Sequence, residues 1–296
     1  MRFLKRLLMT ASLMTGLTAT AQTLTFLEVL DRPDRPKPDH RLAYGEAPQQ
    51  FGELWLPPGA GPHPVVLMIH GGCWQAALPG PELLAFQADA LRAAGVAVWS
   101  ISYRRVGHPG GGYPGTFQDV ARGTDRLRTI AQRYSLDLTR FVATGHSAGG
   151  HLALWAAARR QLPASNALKG DAPLRIPTVV AVAGIPDLAY ASRTALCGPS
   201  VDQLLNGPPT AATLQDTSPL ALLPLNTRQT LIHGAQDRIV PVAASEAYRE
   251  KAAALGDKVE LVTRDDAGHF ELIAPWTPAG KAVVQRILDA IPPPSR

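Results

Sequence analysis

The chain has 296 residues, 46% of them hydrophobic and 18% charged, enough for one large domain with a full core. Setting Arg2, Lys5 and Arg6 aside from the 29 basic residues leaves 26 against 24 acidic ones, so the formal +5 falls to about +2. The basic residues are scattered, with no basic block interleaved with aromatics, which argues against a nucleic-acid partner.

At the start, Arg2, Lys5 and Arg6 precede an apolar stretch from Leu7 to Leu17, and Ala19-Thr20-Ala21 forms an A-x-A site before Gln22. This pattern predicts a secretory signal peptide over residues 1–21, cleaved near Ala21, and hence a secreted or periplasmic protein. The apolar stretch is short for a bilayer span, so no stable membrane insertion is expected after cleavage. Residues 22–49, charged and proline-rich from Asp31 to Asp39, read as a tether. One folded domain is expected over residues 50–296.

Gln50 to Pro57 alternates like an early antiparallel strand. Val65 to Ile69 is a continuous apolar run, as suits a strand covered on both faces of a parallel sheet, and it ends at His70-Gly71-Gly72-Cys73-Trp74. A helix is expected over Pro81–Ala94, a buried strand over Val96–Tyr103, a loop over Gly107–Gly115 and a helix over Thr116–Tyr134. The next strand runs into Gly145-His146-Ser147-Ala148-Gly149, and a helix follows from Ala148 to about Arg160. Thr178–Ala183 is a further strand, and the irregular stretch Gly184–Asn226 reads as a small lid-like insertion. The strand Thr230–His233 opens into Gly234-Ala235-Gln236-Asp237. A helix over Ala243–Leu255, a strand over Lys258–Val262, the loop with Gly268-His269-Phe270 and a helix over Pro278–Ile291 complete the chain. Strands alternating with helices imply a mostly parallel, doubly wound α/β sheet, with ligands at the C-terminal strand ends.

The candidate chemistry gathers at those ends. Gly145-x-Ser147-x-Gly149 between a strand and a helix is the setting of a nucleophile elbow, which exposes one side chain at a strained bend. A serine hydroxyl needs a base, and the base needs a carboxylate to fix its tautomer. His269 is the candidate base and Asp237 the candidate acid, in the chain order Ser147, Asp237, His269. Asp187 is the rival acid, although its turn also suits a helix cap, and Asp265 and Asp266 shape the histidine loop. The oxyanion donors would be the Ala148 N–H with that of Gly72, Cys73 or both. His70, His146 and His151 read as structural. Trp74 is a candidate wall of the substrate pocket, with a core tryptophan as the alternative. Cys73 and Cys197, the two cysteines, either pair or remain free thiols. The His and acidic residues lack metal-ligand spacing, and neither a dinucleotide fingerprint nor a Walker loop occurs, so no metal and no cofactor are expected.

These motifs, together with His233-Gly234-Ala235-Gln236-Asp237, resemble those of the α/β-hydrolase superfamily over about Phe51–Ile291. Within it the chain is similar to the carboxylesterase, arylformamidase and prolyl-oligopeptidase-like group, and its HGG-x-W run to the oxyanion loop of kynurenine formamidases. The resemblance implies hydrolysis of a small-molecule ester or N-formyl amide by Ser147, His269 and Asp237.

Overall fold

The computed structural model describes residues 23–294. The expected signal peptide and its cleavage site therefore lie outside the described residues. An eight-stranded sheet has the order β1-β2-β4-β3-β5-β6-β7-β8. Its strands are β1 (His40–Ala43), β2 (Phe51–Trp55), β3 (His63–Ile69), β4 (Ala97–Ile101), β5 (Leu136–His146), β6 (Thr178–Val182), β7 (Arg228–Gly234) and β8 (Val259–Arg264). The pairings β1–β2 and β2–β4 are antiparallel and the remainder parallel, as the α/β-hydrolase expectation requires.

The helices are α1 (Phe26–Leu30), α2 (Ala85–Ala93), α3 (Gly115–Asp125), α4 (Leu127–Arg133), α5 (Ala148–Ala158), α6 (Leu188–Arg193), α7 (Ser200–Leu204), α8 (Ala211–Thr217), α9 (Ala243–Ala254) and α10 (Pro278–Asp289). Side chains alternate across each central strand, so one apolar run feeds two cores. Val65, Leu67 and Ile69 of β3 join Phe141, Ala143, Val179 and Ala181 on the face covered by α3 and α5. Val66 and Met68 join Val142, Val180, Val182 and Ile232 on the other, with residues of α2 and α10. All eleven residues of α5 are buried, and the helix packs on β3, β5 and β6. An all-round apolar helix belongs inside, and burying its Leu side chains contributes about 1.5–3 kcal/mol each.

Three expectations need correction. Residues 23–49 are not a bare tether, because they carry α1 and the edge strand β1. The expected helix Pro81–Ala94 begins as a 3-10 turn, Pro81–Leu84, before α2. The expected helix Thr116–Tyr134 is broken into α3 and α4. At that break the Trp99 indole N–H donates to the Gly123 carbonyl at 2.8 Å, competing for the acceptor of an i+4 helical bond. Between β6 and β7 the expected insertion holds α6, α7, α8 and a 3-10 turn, Pro219–Leu222.

Candidate active site

Ser147 stands between β5 and α5 with φ 57° and ψ −123°, a conformation that a non-glycine residue holds only under constraint. Its N–H is fixed to the Val182 carbonyl at 2.9 Å. The flanking glycines are required by close packing. A Cβ on Gly145 would come within 2.2 Å of the Gly149 carbonyl oxygen, and one on Gly149 within 2.0 Å of the Ile69 carbonyl oxygen. The bend is thus held from three sides, with Ser147 at the N-terminus of α5, where the helix dipole favours negative charge.

The loop after β3 lies directly against this bend, since a Cβ on Gly71 would meet Ser147 Cβ at 3.1 Å. Gly72, Cys73 and Trp74 all have positive φ, at 94°, 46° and 58°. Among the described residues, the N–H groups of Gly72, Cys73 and Ala148 have no protein acceptor. Unpaired N–H groups of this kind suit a negatively charged oxygen.

His70 anchors the loop from behind. Its Nδ1–H donates to the Gly71 carbonyl at 2.8 Å, Tyr103 Oη donates to the His70 carbonyl at 2.9 Å, and the His70 and Tyr103 rings stack at 4.5 Å. Burial, reinforced by the nearby Arg105 guanidinium, pushes His70 down to about 3, so it is a neutral structural group at ordinary pH. Of the two readings of Trp74, the structure favours the core tryptophan. It is fully buried, donates its indole N–H to His151 Nδ1 at 3.2 Å, and meets that ring edge-on. The positive φ at Trp74 accompanies an inward indole, so Trp74 supports the loop and does not wall a substrate pocket. His151 in turn bonds through Nε2 to the Thr217 carbonyl of α8 at 2.9 Å, and burial pushes it down to about 4.

Cys73 and Cys197 form a disulfide, with Cα atoms 5.8 Å apart, which ties the loop to the insertion between α6 and α7. Gln75 adds hydrogen bonds to Ser200 and Gln203 of α7.

Asp237 and His269 come together on the loops after β7 and β8. Asp237 Oδ2 accepts from His269 Nδ1 at 2.6 Å, while Oδ1 accepts the N–H groups of Ile239 and Val240 at 2.8 Å each. Burial acts to raise the Asp237 carboxyl, but the His269 hydrogen bond and those two N–H groups outweigh it, so the carboxyl lies below its usual range. The arrangement fixes the His269 tautomer and leaves Nε2 for chemistry. His233 lies behind Asp237, donating through Nε2 to the Val240 carbonyl at 2.7 Å.

The other acids have different work. Asp187 caps α6, accepting from the N–H groups of Ala189 and Tyr190 at 2.9 and 3.1 Å. Asp266 pairs with Arg264, and Asp265 uses its carbonyl to hold Gln236. His146, the residue before Ser147, donates through Nε2 to the His269 carbonyl at 3.0 Å, and the two rings lie 4.4 Å apart. The bends carrying Ser147 and His269 are therefore in direct contact.

Sequence reasoning passed over Glu271. Its nearly buried carboxylate accepts the Gly268 N–H at 2.9 Å and the Leu24 N–H, joining the histidine loop to the N-terminal segment. The acidic residue two places after His269 was the available signal. A cavity of about 390 Å³ adjoins His269. Larger cavities of about 740 and 470 Å³ open at the opposite ends of the strands, beside Leu136 and Thr178, away from Ser147 and His269.

A strand-elbow-helix serine, a donor loop after β3 and an acid–histidine pair on the last two strand ends define an α/β-hydrolase. The BD-FAE family model matches residues 53–252, and the chain belongs to that family. A probable isoprenylcysteine alpha-carbonyl methylesterase of Oryza sativa subsp. japonica is 27% identical over 249 residues, 78% of this chain. The chain spans about half that relative's length, 56%. Two solved structures share the fold. Esterase B from Lactobacillus rhamnosis, inhibitor-bound, has a TM-score of 0.73 at 22% identity, covering 86% of this chain and 88% of that one. A propionate-bound thermophilic esterase from the planctomycete Thermogutta terrifontis has a TM-score of 0.69 at 19% identity, covering 89% and 98%.

Proposed function

We propose that the protein is an exported serine hydrolase that cleaves carboxylic esters of small molecules. The observation that carries the reading is the Asp237–His269 hydrogen bond of 2.6 Å, on a loop packed against the elbow that holds Ser147. Esterase names among the relative and the structural neighbours support the same chemistry. No metal or cofactor enters the proposed steps.

In the first step Ser147 Oγ attacks the ester carbonyl as His269 Nε2 takes its proton. Asp237 holds the ring and stabilises its charged form. The carbonyl oxygen becomes an oxyanion, facing the N–H groups of Ala148 and of Gly72, Cys73 or both. Collapse breaks the bond to the alcohol oxygen, which leaves with the proton from His269. Water then attacks the acyl-serine, His269 again accepting a proton and returning it to Ser147.

Export rests on the basic and apolar character of residues 1–21 and the A-x-A site at Ala21. The Cys73–Cys197 disulfide supports it, since such bonds persist in oxidising compartments.

The test is turnover of p-nitrophenyl esters from acetate to decanoate by wild type and Ser147→Ala. We expect hydrolysis of short-chain esters that falls on the order of 10³-fold or more in the variant. Strong preference for an N-formyl aryl amide over an aryl acetate would move the assignment to arylformamidase.

A further inference from the structure

The surface beside His269 carries an apolar cavity that the proposed chemistry leaves unused. It encloses about 390 Å³ between the N-terminal segment and the loops after β7 and β8. Phe26, Leu27, Ile239 and Phe270 supply apolar surface, and His269 belongs to the same lining. Among the described residues, the exposed large hydrophobics are Leu27 at 51%, Ile239 at 43% and Leu255 at 48%. Two of these three converge on one cavity. Single exposed apolar residues are ordinary, whereas a convergent pair beside a reactive group marks a binding surface.

The roof of this cavity is held in place. The Leu24 N–H is taken by Glu271, the same carboxylate that holds Gly268 beside His269. Val29 is buried in the core, and the Arg32 guanidinium lies 4.1 Å from the centre of the Trp276 ring. Phe26 packs on Phe270 with ring centres 6.1 Å apart, and Phe270 meets His269 edge-on at 5.0 Å. Between these anchors, Leu27 is left facing solvent at the cavity.

We infer that this cavity receives the alcohol part of the ester, and that the alcohols it favours are apolar. The inference rests on the serine-esterase reading and extends it to the leaving group. In that reaction the alcohol oxygen takes its proton from His269, so the leaving group must lie within reach of His269. His269 lines this cavity, whereas Ser147 and the N–H groups of Gly72, Cys73 and Ala148 do not, so an occupant there meets the base and not the oxyanion donors. The cavity's apolar wall rewards buried methylenes, each worth about a two- to fourfold gain when removed from water. Residues 23–27 are then part of the active site.

The experiment holds the acyl group constant. The kcat/KM of methyl, butyl and hexyl acetate is measured for wild type, Leu27→Ser, Ile239→Ser and, as a control at the end of α9, Leu255→Ser. The readout is the hexyl-to-methyl ratio within each protein, so a general loss of rate cancels. In wild type and Leu255→Ser kcat/KM should rise by about two- to fourfold per methylene, and the hexyl-to-methyl ratio should fall toward one in Leu27→Ser and Ile239→Ser. A flat series in wild type, or a wild-type ratio in both cavity variants, overturns the inference. So does a dimer at assay concentration that dissociates on Leu27→Ser, because the patch would then be a contact between copies. Failure of the wild type on every ester sinks the esterase reading, and the inference falls with it.

Discussion

His146 donates its Nε2–H to the backbone carbonyl of His269 at 3.0 Å, so the residue before the proposed nucleophile holds the residue proposed as its base. Burial, with His269 alongside, holds His146 well below the usual histidine range, which keeps it neutral. It is a positioning residue, since it acts through the His269 backbone. His146→Phe keeps a ring and removes the donor. A hydrogen bond of this kind is worth about 1 kcal/mol, so kcat should fall roughly five- to tenfold with KM little changed. Steady-state kinetics beside a thermal melt separates this from simple unfolding.

The two candidate acids respond differently to the same chemical change. Asp237→Asn should lower kcat/KM on the order of 10³–10⁴-fold, because the amide reverses the hydrogen-bond role that fixes His269. Asp187→Asn should cost little, since asparagine also caps a helix. The opposite ranking in an ester assay would reassign the acid.

Acid lability follows from buried neutral histidines. His70 is pushed down to about 3 and His151 to about 4, both mainly by burial. In the unfolded chain each titrates near pH 6.5. Between pH 6.5 and the folded value, the unfolded state therefore binds more protons than the native one, and stability falls as the pH falls. Each histidine removes about 1.4 kcal/mol per pH unit over that window. The lowered Asp237 acts in the same direction at lower pH, its stabilisation being lost as its folded carboxyl is protonated. Melting temperatures should drop steeply from pH 6.5 to 4.5; a flat profile there would contradict the buried-neutral assignment.

The Cys73–Cys197 bond closes a sequence separation of 124 residues and pins the donor loop to the insertion. Cys197→Ser, which leaves Cys73 in place, should cost about 2–5 kcal/mol of stability by denaturant titration. Turnover should fall as well, since the Cys73 backbone carries a proposed oxyanion donor. Unchanged stability would mean that the bond does not form in solution.

Much of this architecture is legible in the sequence for physical reasons. β3 and β6 are buried on both faces, so they read as continuous apolar runs, and the glycines about Ser147 mark where the backbone must approach closely. Edge strand β1 is silent because His40, Arg41 and Ala43 are exposed and it is joined to the sheet through backbone pairing with β2. Helix α1 is only five residues long, yet Thr25 and Glu28 form a capping box that the sequence does display. The fate of Trp74 depends on three successive positive φ angles, which no local pattern announces. Glu271 owes its role to Leu24, 247 residues away in the chain, a contact that only the fold creates.

The central claim is that Ser147 is the nucleophile activated by His269 and Asp237. The most direct test is intact mass and peptide mapping after exposure to a fluorophosphonate, for wild type, Ser147→Ala and His269→Ala. A single adduct on Ser147, absent from Ser147→Ala and formed far more slowly in His269→Ala, is the predicted result. An adduct at another residue, one that persists in Ser147→Ala, or none on wild type would contradict it.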